Sequence, residues 1–188
     1  TAVAVDDKAD ESPVTIADRG AEQAMREMIA RERPQDGIIG EEFGKERAGN
    51  SRVWVLDPID GTKSFISGRP MFGTLVALAI DGVPELGVID CSAVSERWVG
   101  VKGRRTTHRL NDGTTKDVRV RACPELKLAT LYCSSPLMFK EHFPAFERVR
   151  EKVKLPMYGG DCYAYGLVSS GFADMDIEAG LQVYDYAA

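Results

Sequence analysis

Acidic side chains gather at four places where the chain is about to change direction: Asp18, the pair Glu41-Glu42, the pair Asp57 and Asp60, and Asp185. The third is the sharpest. Arg52-Val-Trp-Val-Leu-Asp57 reads as a buried strand, Pro58 blocks its continuation, and Asp60-Gly61-Thr62 turns the chain back, so two carboxylates and the Ile59 carbonyl can face one point. Hard oxygen donors of that kind select Mg²⁺, whereas zinc prefers histidine and cysteine. Asp and Gly also dominate ordinary turns for backbone reasons. The chain carries its own control, because Asn111-Asp-Gly-Thr114 repeats the Asp-Gly-Thr string in a plain hairpin turn. What separates the first copy is the apolar strand running into Asp57 and the Gly40-Glu-Glu42 turn upstream.

Other chemistry-bearing residues are weaker. The N–H groups of Gly61 and Thr62, at the start of a short helix Thr62–Ser67, could cradle phosphate oxygens, and glycine there permits close approach; Thr62 equally reads as a simple helix cap. Asp18 taken alone is a helix-start carboxylate. Asp161 begins a later helix, where capping and ligand binding are equally good readings. Cys91, Cys123, Cys133 and Cys162 include no C-x-x-C pair and have only His108 and His142 to complete a zinc site, so they read as plain buried thiols. A cysteine nucleophile would need a base near it in space. His142 reads as the polar shoulder of a packed helix.

These residues need elements to position them. Thr15 followed by Ala21, Ala24, Met25, Met28 and Ile29 has the spacing of an amphipathic helix capped by Thr15 and ending before Pro34. Strands are predicted at Arg52–Asp57, at Phe72–Ile80, from a turn at Asp81-Gly82 into Glu85–Cys91, and at Glu96–Val101. The Asn111–Gly113 turn leads to a strand at Val118–Arg121, then Leu128–Tyr132. Phe139, Phe143, Phe146 and Val149 recur at helical spacing from Ser135 to Val149. Strand Val153–Tyr158, helix Asp161–Ser170 and strand Ala173–Ile177 follow. Mixed helices and strands argue for a layered α/β or α+β architecture. It divides into an N-terminal α+β region, 1–125, and a C-terminal α/β region, 126–188, packed as one catalytic unit.

At 188 residues, 44% of them hydrophobic and 28% charged, the chain is long enough to bury a core without covalent staples. Its 24 basic residues against 29 acidic ones oppose the basic stripe that nucleic acid requires. The longest apolar run, Gly73–Ile80, is far too short for a membrane span. The start of the chain does not read as a signal peptide, so a cytoplasmic, soluble protein is expected.

Gly40-Glu-Glu-Phe43, then Trp54-Val-Leu-Asp-Pro-Ile-Asp-Gly-Thr62, with Asp18 in Thr15-Ile-Ala-Asp-Arg19 and a closing Tyr184-Asp185, resembles the inositol monophosphatase family of Mg²⁺-dependent phosphatases along essentially the whole chain. More narrowly, Lys8-Ala-Asp-Glu-Ser-Pro-Val-Thr15, Gly40-Glu-Glu-Phe-Gly44, Gly159-Gly-Asp-Cys-Tyr-Ala-Tyr-Gly166 and Tyr184-Asp-Tyr186 resemble its histidinol-phosphatase branch. One departure is Ser64 in Asp60-Gly-Thr-Lys-Ser-Phe65, where many relatives carry Asn.

The resemblance implies a sugar-phosphatase-type sandwich of alternating helix and sheet layers, incomplete at both ends beside full-length members, and a homodimer. It implies two or three Mg²⁺ ions. Glu41, Asp57 and the Ile59 carbonyl would hold the first; Asp57, Asp60 and Asp185 the second; Glu41 would also serve the third. Thr62 and Asp18 would orient and deprotonate the attacking water, with Glu41 joining them as a catalytic group. Glu178, Asp161 and Ser134 would meet the leaving group, and Asp60 and Asp185 would also contact the substrate. The expected reaction is hydrolysis of histidinol phosphate by direct attack of water, without a phosphoenzyme. Carboxylates at Asp161 and Glu178 suit a leaving group bearing an amine and an imidazole. Inositol 1-phosphate and other small sugar or nucleotide phosphates are the alternatives, and a catalytically silent binding protein is the alternative of another class.

Overall fold

The computed structural model describes residues 5–7 and 13–188; the Lys8–Ser12 part of the motif read above, and the first four residues, lie outside them. β1 (Val5–Asp7) and β2 (Pro13–Thr15) pair antiparallel and deliver Thr15 to α1 (Ile16–Glu32). Thr15 Oγ1 accepts from the Ala17 and Asp18 N–H groups while Asp18 accepts from the Thr15 N–H, a reciprocal cap. The helix ends before Pro34 as expected. Its inward face is not the expected apolar stripe: Asp18, Glu22 and Ile29 are buried, while Ala24 and Met28 are exposed. The helix is rotated so that two acids point inward, because both are hydrogen-bonded there to other parts of the fold.

The main sheet comprises β3 (Gly37–Gly40), β4 (Gly44–Glu46), β5 (Arg52–Asp60), β6 (Gly73–Ile80), β7 (Val83–Cys91), β8 (Glu96–Val101), β9 (Thr106–Arg109) and β10 (Thr115–Val118), with α2 (Thr62–Ile66) between β5 and β6. The spatial order is β10-β9-β8-β7-β6-β5-β3-β4, antiparallel except for the β3–β5 pair. Pro58 does not end β5. The strand runs on to Asp60 with its pairing to β6 broken between Asp57 and Asp60, because proline has no N–H to give the ladder. The Asp81-Gly82 turn has positive φ at both residues, 50° and 78°, the geometry that matches hairpin twist. The Asn111–Gly113 turn also forms, but the strand after it is Thr115–Val118 rather than Val118–Arg121. Thr115 already pairs with Arg109, and β9 is used up at Thr106.

The second half contains β11 (Thr130–Cys133), α3 (Phe143–Arg150), β12 (Leu155–Tyr158), α4 (Cys162–Ser169), β13 (Met175–Asp176) and α5 (Val183–Tyr186), the strands forming a parallel sheet in the order β12-β11-β13. The single helix expected over Ser135–Val149 is split. A 3₁₀ segment, Pro136–His142, with Lys140 at φ 46°, precedes α3, which starts at Phe143 so that Pro144 falls in its first turn.

Three apolar clusters join these layers. Ile29 of α1 packs on Ile38 and Leu56; Leu75, Ile89 and Trp98 on the other face pack on Cys162 of α4; Leu131 and Cys133 pack on Phe139 and Phe146. The result is alternating layers of helix and sheet. Cys91, Cys133 and Cys162 are buried, whereas Cys123 is only half-buried beside Pro124. His142 is exposed. Among the described residues no helix is long and apolar enough to cross a membrane.

Candidate functional site

The break at Pro58 lets both ends of one short stretch look the same way: Asp57, only 2% exposed, and Asp60. α5 packs against β5 and β6 and brings in Asp185, one of whose oxygens accepts the Gln182 N–H at 2.5 Å. One carboxylate oxygen from each of Asp57, Asp60 and Asp185 lies within 4.8 Å of the others. Asp57 Oδ1 is buried and has no hydrogen-bond partner among the described residues.

Burial, followed by repulsion from Asp60, Glu41 and Asp185, holds the Asp57 carboxyl well above the usual carboxylate range. Burial and then Asp161 push Asp60 up to about 7, against the opposing pull of the Cys162 N–H that donates to it at 2.5 Å. Buried, mutually repelling carboxylates of this kind are stable when a cation sits among them. An all-oxygen donor set fits a hard divalent ion.

Glu41 follows β3, and its N–H donates to the Leu56 carbonyl at 3.1 Å. That bond sets Glu41 beside Asp57, although outside the tight group of three. The loop holding Glu41 is clamped by a residue that sequence reasoning missed. Glu22 of α1, fully buried, accepts from the Glu42 N–H at 2.7 Å, the Phe43 N–H at 3.3 Å and Arg26 Nε at 2.8 Å. Arg26 in turn donates to the Gly44 carbonyl at 2.5 Å. A Cβ at Gly40 would lie 1.9 Å from Glu22 Oε1, so a side chain there would push the clamping carboxylate out of place. The available signal was that Glu22 falls one helical turn after Asp18, on the same face.

Thr62 Oγ1 lies 3.1 Å from the Ile59 carbonyl and 3.5 Å from Asp18 Oδ1. Asp18 Oδ2 takes the Thr15 N–H at 2.8 Å and the Thr15 hydroxyl at 2.5 Å. The helix-cap reading of Thr62 gives way, because Gly61 at φ 82° occupies the cap position of α2. Asp18 is completely buried and so is not the solvated helix-start carboxylate that its position alone suggested.

These groups open onto a cleft of about 570 Å³ whose lining includes Glu41, Asp60, Gly61, Thr62, Ser134, Asp161, Glu178 and Asp185. Asp161 stands at the cap position of α4, but among the described residues its side chain makes no cap bond; its Oδ2 accepts from Ser64 Oγ at 2.7 Å instead. Glu178 Oε1 accepts from the backbone N–H of Ser134 at 2.7 Å, so that residue meets Glu178 through its main chain. Glu178 Oε2 and both oxygens of Asp176 are buried without a donor among the described residues. Burial and the neighbouring Glu178 push Asp176 to about 7, and burial also raises Glu178. Sequence reasoning misses Asp176, because an acid inside the predicted strand Ala173–Ile177 carries no local motif.

A family model described as the inositol monophosphatase family matches residues 1–188. The bifunctional phosphatase IMPL2, chloroplastic, of Arabidopsis thaliana is 54% identical over 97% of this chain and 52% of its own length. A histidinol-phosphatase of Mycobacterium tuberculosis is 36% identical, over 98% of this chain and 72% of its own. This chain thus spans about half of the first relative and under three quarters of the second. Among solved structures, an inositol monophosphatase from Zymomonas mobilis superposes with a TM-score of 0.86 at 50% identity, covering 99% of this chain and 70% of that one.

Proposed function

The chain belongs to the inositol monophosphatase family, and from that premise we propose that it is a Mg²⁺-dependent phosphomonoesterase that hydrolyses histidinol phosphate to histidinol and phosphate. The observation that carries this reading is the convergence of Asp57, Asp60 and Asp185 within 4.8 Å around a buried Asp57 oxygen that has no donor. Glu41, Asp57, Asp60, Asp185 and the Ile59 carbonyl would hold two or three ions. Bound there, divalent cations supply a lowered pKa for water and charge neutralisation of the phosphoryl oxygens.

The chain's own groups do the rest. Thr62 and Asp18, 3.5 Å apart, orient the water and take its proton, with Glu41 alongside, and the Thr15 hydroxyl and N–H hold Asp18 in place. The Gly61 and Thr62 N–H groups receive phosphoryl oxygens. Asp161 and Glu178 meet the cationic leaving group, the latter braced on Ser134. The reacting unit draws on both regions, 1–125 and 126–188.

The choice of ester rests on two buried or half-buried carboxylates lining the leaving-group side of the cleft, which suit an amine better than a polyol, and on the histidinol-phosphatase relative. The second reading is inositol 1-phosphate, favoured by the Zymomonas inositol monophosphatase. Phosphate release from both esters, with Mg²⁺ and with chelator, separates them. Mg²⁺-dependent turnover is expected, with kcat/KM at least about tenfold higher for histidinol phosphate, the discrimination a buried charge contact can supply. Equal values would sink the narrow assignment, and no release from either ester would leave the silent-binder alternative standing.

A homodimer in the cytoplasm belongs to the same proposal, with the chloroplast, named for the Arabidopsis relative, as the competing compartment. Sedimentation velocity reads the first point.

A further inference from the structure

We propose that Ser64 is a positioning residue for substrate specificity: its hydroxyl holds the Asp161 carboxylate in the cleft, so that the site prefers phosphate esters whose leaving group carries a cationic amine. The inference rests on the phosphomonoesterase reading above.

Ser64 lies in α2, only 3% exposed. Its Oγ donates to Asp161 Oδ2 at 2.7 Å, joining parts of the chain 97 residues apart. The Asp161 side chain does not serve the helix that it begins. It heads α4, and its carbonyl accepts from the Ala164 N–H at 3.0 Å, yet among the described residues its carboxylate caps none of the helix's N–H groups; its backbone sits at φ 45° and ψ −147°, a conformation costly for a residue with a side chain. A helix start that needed only a cap would place the carboxylate over its own N–H groups. Here the side chain instead accepts from Ser64, beside it in the wall of the cleft.

Room for that reach comes from Gly61, where a Cβ would lie 3.0 Å from both Asp161 Cβ and Cγ. A strained backbone, a glycine that makes way and a buried hydroxyl together fix one rotamer of one carboxylate at the wall of the cleft. A fixed acceptor discriminates for a cation more strongly than a mobile one.

The test compares KM for histidinol phosphate and inositol 1-phosphate in the presence of Mg²⁺. Ser64→Ala should raise KM for histidinol phosphate about tenfold and move that for inositol 1-phosphate less than about twofold. Ser64→Thr, which keeps the hydroxyl, should retain the wild-type ratio. In an Asp161→Asn background, where the charge is already gone, adding Ser64→Ala should not change the ratio further.

Equal KM increases for both esters in Ser64→Ala, or full additivity with Asp161→Asn, would overturn the inference while leaving the phosphatase reading intact. A wild type that hydrolyses inositol 1-phosphate but ignores the cationic ester overturns the inference and the choice of ester while the phosphatase reading stands, and release from neither ester overturns the phosphatase reading as well. If Ser64→Ala does not fold by thermal melt, the remaining pair decides: Asp161→Asn must lose the preference and Ser64→Thr must keep it.

Discussion

Asp57 is held in an environment that opposes its charge from every direction the fold supplies: burial first, then Asp60, Glu41 and Asp185. Asp57→Asn changes charge without changing volume. In chelator-treated protein it should therefore raise the melting temperature, while Mg²⁺-dependent phosphate release falls by about 100-fold or more, at or beyond what loss of a metal-supporting side chain costs. Calorimetry and a phosphate assay read the two effects, and a variant that melts lower with activity intact would contradict both.

Asp176 carries a second prediction at this scale. Its carboxyl rises from the ordinary 3.8 to about 7 in the folded protein, through burial and Glu178. Below the ordinary value both folded and unfolded states hold the proton. Between the two values the folded state keeps a proton that the unfolded state has shed, so stability falls as pH rises across that window. Asp176→Asn removes the penalty, and its melting temperature should gain on the wild type steadily from about pH 4 to 7. A constant difference would remove Asp176 from the explanation.

At the scale of elements, α1 is the case where periodicity misled. Its apolar residues suggested one inward face, yet the fold turns Asp18 and Glu22 inward. The energetic reason is that each is fully satisfied there, Asp18 by Thr15 and Glu22 by two backbone N–H groups and Arg26. A buried acid with three donors costs little, whereas removing it strands the donors. Glu22→Ala should cost about 3–5 kcal/mol, the usual penalty for breaking a buried charge pair, and should release the Glu41 loop. Urea unfolding measures the first, and a loss of Mg²⁺ affinity larger than that of a surface control variant measures the second. β5 teaches a related lesson: Pro58 marked an interruption correctly, but it interrupts only the pairing, and the strand carries Asp60 beyond it.

For the molecule as a whole, the proposed function would make the carboxylate cluster a cation site that exists in the folded state and not in the unfolded chain. Mg²⁺ should therefore raise the melting temperature in a concentration-dependent way, by about 2.7 kcal/mol of stability at one hundred times its dissociation constant. Monovalent salt at equal ionic strength should do much less. Asp57→Asn should abolish the Mg²⁺ response, and an unchanged response would place the ion elsewhere.

Read along the chain, the turns at Asp81-Gly82 and Asn111–Gly113, the Thr15 cap and the acid-rich corner at Asp57-Pro58-Ile59-Asp60 were legible, because each depends on backbone preferences of residues a few places apart. The family resemblance was legible for the same reason, being carried by short strings. Contacts across great sequence distance were not. That Asp185 arrives beside Asp57, that Glu22 rather than Met28 faces inward, and that Ser64 rather than the start of α4 claims Asp161 all follow from how the layers stack. Burial and desolvation belong to the packed molecule, and no local stretch of residues contains them.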